Sequence, residues 1–128
     1  MSVINARVVR DAADIDIAIV GALDEDDKFE AVILKPKDFK DAPAAAKLTA
    51  VFHSIQDGVN ITMYWEGEDD HTLLMPLEGR GILDLTRFGG LENPRLPGWT
   101  GNVVLVAERT KPGKRHFAIS LEFSKQRA

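Results

Sequence analysis

Phe117, Ile119, Leu121 and Phe123 alternate without a break with Ala118, Ser120, Glu122 and Ser124. Successive side chains of an extended strand point to opposite faces, so this pattern puts every apolar group on one side. The same period returns at Ile61, Met63 and Trp65, set between Thr62, Tyr64 and Glu66, and at Ile15, Ile17 and Ile19. Shorter apolar runs at Ala6–Arg10, Phe29–Leu34, Leu48–Ile55, Thr72–Leu77, Ile82–Leu85 and Val103–Ala107 also fit strands. No segment carries an apolar stripe at i, i+3, i+4, i+7 over three turns. The pattern predicts an all-β chain: an antiparallel β-sandwich, jelly-roll-like, with about nine short strands and little or no helix. Residues 1–128 are expected to form one domain. The core is expected to contain Ile61, Met63, Trp65, Phe117, Ile119, Leu121 and Phe123.

Turn chemistry separates the runs. Asp57-Gly58 follows Leu48–Ile55, and Gly67-Glu68-Asp69-Asp70 closes the strand that ends at Glu66. Lys111-Pro112-Gly113-Lys114 is expected to join the last two strands as a hairpin. The best helical candidate, residues 41–47, has Pro43 near its start and reads as a connection rather than a helix.

Charge and composition narrow the function. A net charge of −4 argues against a general nucleic-acid binder. Residues 1–70 carry 7 Lys/Arg against 15 Asp/Glu, and residues 71–128 carry 9 against 5. This asymmetry reads either as two solvated faces or as a polar subunit that meets a partner with opposite charges facing. Without cysteine there are no disulfides, zinc–thiolate sites or thiol chemistry. No leader-like segment and no apolar run of membrane-spanning length is seen, so a soluble protein made in a cytoplasm is expected. His53, His71 and His116 stand on or beside three different runs without ligand spacing. Residues 24–27 and 66–70 are acidic but lack the spacing of a calcium loop. No phosphate-binding fingerprint or nucleophile elbow occurs, and Asn60-Ile61-Thr62 is a chance sequon inside a strand. The chain is expected to have no catalytic activity, no metal and no cofactor.

The segment Arg87–Asn102, RFGGLENPRLPGWTGN, is the most unusual stretch. It is too rich in large apolar groups for a flexible linker and has the makings of a loop with a fixed shape. From Leu48 onward, about 80 of the 128 residues resemble a family of small virion structural proteins of tailed bacteriophages. The resemblance rests on the order of several elements. A strand ends before Gly58; the next closes on Trp65-Glu66 and an acidic turn; Gly79-Arg80-Gly81-Ile82-Leu83-Asp84 follows. Then come Gly89-Gly90-Leu91, Asn93-Pro94, the Gly98-x-Thr100-Gly101-Asn102 step and an alternating last strand with a basic end. That family often has Asp at the place of Asn102. The N-terminal third departs from it, with Gly21-Ala22-Leu23-Asp24 where members carry a Ser-Asp-Gly-Thr-Gly-Glu turn.

The resemblance implies a non-enzymatic capsid cement or decoration protein that binds and stabilises the lattice of the major capsid protein. Its partners would be that protein and copies of itself, as a homo-oligomer in the virion made in a bacterial cytoplasm, without nucleic acid or membrane. A head–tail connector or tail component is the alternative within the same biology. A carbohydrate-binding module is a second alternative, since β-sandwiches often host sugar sites. The candidate partner interface consists of Phe88 and Trp99 as aromatic anchors, with Arg109, Lys111, Lys114 and Arg115 around the last turn. Trp65 is expected in the core and Trp99 in a loop at or near the interface.

Overall fold

In a computed structural model that describes residues 2–24 and 28–126, nine strands form two antiparallel sheets. They are β1 (Val3–Asp11), β2 (Asp14–Leu23), β3 (Lys28–Leu34), β4 (Ala45–Ile55) and β5 (Val59–Gly67), then β6 (Thr72–Leu77), β7 (Arg80–Asp84), β8 (Trp99–Arg109) and β9 (Arg115–Gln126). One sheet has the order β1-β2-β9-β4-β7 and the other β3-β8-β5-β6. The only helical pieces among the described residues are single 3-10 turns at Pro36–Asp38 and Thr86–Phe88.

The topology is a long hairpin rolled up. The β5–β6 pair is its tip; outward from it β4 pairs with β7, β3 with β8, and β2 with β9. Successive pairs fall in alternate sheets, which gives the jelly roll, with β1 added beside β2. The core lies between the sheets because the alternation is obeyed on both sides. Ile15, Ile17 and Ile19 of β2 and Phe117, Ile119, Leu121 and Phe123 of β9 face Ile61, Met63, Trp65, Val103 and Leu105, all buried in one cluster.

Two sequence expectations change. The segment Lys111–Lys114 is not a hairpin turn, because β8 and β9 lie in different sheets and do not pair. Pro112-Gly113 specifies a reversal, but which sheet receives the next strand is decided by the pairing of β9 with β2 and β4. Nor is Trp99 in a loop: it opens β8 opposite Gly67. The glycines around it read as loop residues, yet Gly101 has φ 88° inside the strand, beside a register shift between Trp65 and Gly67. A positive-φ glycine is the usual device for such a bulge.

Among the described residues the charge asymmetry along the chain does not separate between the two sheets. Each sheet takes strands from both halves, and Lys125 of β9 meets Asp11 of β1 at 2.6 Å. That ammonium also donates to the Lys40 carbonyl at 3.0 Å, and it holds the Asp11 carboxyl below the ordinary value of 3.8.

Candidate functional site: a locked loop at one end of the sandwich

The connection from β7 to β8, residues 85–98, runs at the same end as the β3–β4 connection. The two are neighbouring stretches of the rolled hairpin. Asp84 starts the loop by accepting from the Thr86 amide at 3.0 Å and the Thr86 hydroxyl at 2.5 Å. These donors, the hydroxyl foremost, hold the Asp84 carboxyl below its usual range. One 3-10 turn follows: the Phe88 amide donates to the Leu85 carbonyl at 3.1 Å and the Gly89 amide to that of Thr86 at 3.0 Å.

The Gly-Gly-Leu element then presses the chain onto β4. Gly90 has φ 83°, and a Cβ there would sit 2.7 Å from Lys47 Cγ and 2.9 Å from the Leu48 carbonyl oxygen. Only glycine allows the approach, which lets Leu91 and Leu48 exchange two backbone hydrogen bonds of 2.8 and 2.9 Å. Beyond it Asn93, only 5% exposed, accepts from the Arg95 amide through Oδ1 at 2.9 Å. The Arg95 guanidinium lies over the Trp99 ring, 5.1 Å from its centroid. The far end is fixed from both sides, as Trp99 N–H donates to the Leu96 carbonyl and Glu68 N–H to that of Gly98.

The Thr-Gly-Asn step completes the lock. Glu66, at the end of β5, accepts through Oε1 from the Thr100 hydroxyl at 2.8 Å and the Asn102 side-chain Nδ2 at 3.0 Å. Between those donors, a Cβ on Gly101 would lie 2.4 Å from the Ala44 carbonyl oxygen. Trp65-Glu66 and Gly98-x-Thr100-Gly101-Asn102, distant in sequence, are thus two halves of one joint.

On this scaffold Phe88 is 82% exposed, the most exposed large apolar side chain among the described residues. Trp99 is half-buried under Arg95, so the two aromatics do not form one platform. The four cations stand at the opposite end, where the β8–β9 connection passes the β2–β3 and β4–β5 connections. Arg109 donates to the Asp24 and Gly113 carbonyls, and Arg115 to those of Pro112 at 2.6 Å and Asp57 at 3.3 Å. Lys111 pairs with Asp57 at 2.5 Å and depresses that carboxyl's pKa. Three of the four cations therefore tie down their own corner, and Lys114 is the exposed one without a hydrogen bond among the described residues.

Several contributors escaped the sequence reading. Arg95 and Asn93 are polar residues in a loop, with no periodic signal to announce a stacked cation or a buried amide. Phe52 and Ile82, paired across β4 and β7, expose apolar surface on the outer face of the five-stranded sheet. Alternation does place Phe52 opposite to the inward Val51 and His53, a signal that was legible in the sequence.

The acidic cluster at Glu66–Asp70 spends the Glu66 carboxylate on Thr100 and Asn102. Residues 25–27 of the other cluster lie outside the described residues. No group of three His, Asp or Glu side chains suited to a metal gathers among the described residues. His71 accepts from the Gly67 amide at Nδ1, which leaves Nε2–H to donate to Glu30 at 3.2 Å. His53 is buried beside the Gly79 carbonyl, 3.0 Å from Nδ1. Comparison with family models, curated proteins and solved structures returns no match.

Proposed function

We propose that the chain is a structural component of a tailed-phage particle, a cement or decoration protein that binds the capsid lattice through the loop at residues 85–98. The observation that carries this reading is the setting of Phe88. A phenyl ring left in water is costly, and here the backbone beneath it is held at Asp84, Gly90, Leu91 and Trp99. Rigid presentation lowers the ordering cost of binding, and an aromatic that enters a pocket supplies a disproportionate share of interface energy. The order of loop elements that resembles the phage family builds this same lock, which ties the resemblance to a physical purpose.

The sugar-binding alternative is less well supported. Trp65 is sealed in the core, Arg95 covers one face of Trp99, and Tyr64 points from β5 to the side opposite Trp65, tilted against His71. These three rings do not share a surface. Imaging purified phage particles with and without the protein tests the proposal. Added density at repeating lattice positions supports it, whereas density confined to the tail or portal would favour the connector reading.

A further inference from the structure

The four sheet edges are not equally protected. Edge strands β6 and β7 are short, six and five residues, and β6 contains Pro76. Edge strand β3 alternates Lys28 and Glu30 with its apolar positions and has a register shift before Leu34. Such features discourage edge-to-edge pairing. Strand β1 is longer, nine residues, and from Val3 to Val9 it has no proline, no glycine and one charge, Arg7; its own register shift, between Val8 and Arg10, falls at the C-terminal end of that segment and leaves Val3–Val8 regular. Its sheet has one strand more than the sheet it faces, so β1 overhangs. Val8 shows this directly: its partner Ile17 is buried in the core, yet Val8 is 51% exposed. Val3 and Val9 are 50% and 59% exposed.

We propose that this edge is the seat of a second copy of the chain, joined β1 to β1 in antiparallel fashion about a twofold axis. The sequence of the strand specifies the occupant and the register. A twofold between identical antiparallel strands must place some residue opposite itself. With Ala6 opposite Ala6, Val3 meets Val9, Ile4 meets Val8 and Asn5 meets Arg7. Every apolar side chain of the segment then has an apolar partner, and no like charges face each other. Centring on Arg7 sets two guanidiniums opposite each other and Ile4 against Arg10. Centring on Val8 or Val9 places a valine opposite an arginine. The Ala6 register also leaves Arg10 outside the paired segment, where it is already held by Asp14 and Asp16. Val3 and Val9 share the outer face of the seam, while Ile4, Ala6 and Val8 share the inner one, so both faces gain apolar cover. The two five-stranded sheets become one continuous sheet. This inference stands on β1 alone, and its failure would leave the particle reading untouched.

The absence of native cysteine allows a clean test by single-cysteine scanning of the full-length chain. Directly opposed residues of an antiparallel pair have Cα atoms within disulfide range. Ile4 or Val8 and its own copy would be offset by about 13 Å along the seam. Mild oxidation should therefore cross-link Ala6→Cys at least about tenfold faster than Ile4→Cys or Val8→Cys. Sedimentation velocity of the wild type should show a concentration-dependent species of twice 14.1 kDa, which Val8→Lys, an exposed change, abolishes. A wild type that is monomeric at every concentration, another oligomer, or cross-linking that does not peak at Ala6 would overturn the proposal.

Discussion

Large aromatic side chains in this chain fall into different energetic classes that composition does not distinguish. Trp65 is 4% exposed in the packed interior, and truncating such a side chain costs roughly 3–5 kcal/mol. Trp65→Ala is therefore expected to lower the urea midpoint severely or to express insolubly. Phe88→Ala removes a ring that contacts mostly water, and its midpoint should stay within about 0.5 kcal/mol of wild type. Carboxylates give a second residue-scale prediction. Asp11, Asp57 and Asp84 all titrate below their ordinary value of 3.8, through Lys125, Lys111 and Thr86 respectively. Each is more acidic folded than unfolded, so its stabilisation is complete above 3.8 and is lost as pH falls through the lowered folded value. Urea midpoints should show no loss attributable to these three groups between pH 7 and about 5, and a decline below about 4 that Asp11→Asn makes shallower. A decline already complete at pH 5 would mean that these carboxylates are not held as described.

At the scale of elements, alternation revealed most strands and turn chemistry revealed their ends, but neither assigned strands to sheets. The runs at 61–65 and 117–123 were plain because one face is buried and the other is wet, which forces period two. By contrast, β8 extends back to Trp99, and the reason is non-local: Glu66, a strand away, gathers Thr100 and Asn102. No local pattern announces such a partner. The same limit applies to the cations. Arg109, Lys111 and Arg115 read as an exposed cluster because the Asp24 carbonyl and Asp57 come from other connections, and the Gly113 and Pro112 carbonyls of their own turn carry no sequence signal as acceptors. Gly101→Ala tests the bulge. With φ 88° and the Ala44 carbonyl in the way, backbone strain alone should cost roughly 1–3 kcal/mol, measured as a shifted urea midpoint. Lys114→Glu should leave stability within about 0.5 kcal/mol, whereas reversing Arg109 or Arg115 should destabilise the corner itself. Equal midpoints for all three reversals would contradict the tethering.

For the whole molecule, the jelly roll explains how a small β chain fixes loops at two opposite ends of one core. One end carries the lock around Phe88, and the other carries the tied cations with Lys114 exposed beside them. Between them the outer face of the five-stranded sheet and the β1 edge remain open to neighbours. A repeating shell would engage several such surfaces at once, so modest contacts accumulate through avidity. Among them Phe88 is expected to dominate, as anchors worth at least about 2 kcal/mol do in other interfaces. The most direct measurement is equilibrium co-sedimentation of wild type and Phe88→Ala with phage particles stripped of the protein. Wild type should saturate a fixed number of sites per particle, and the variant, equally stable when free, should bind about thirtyfold more weakly. Wild type that stays in the supernatant, or a variant that binds with wild-type affinity, would contradict the account.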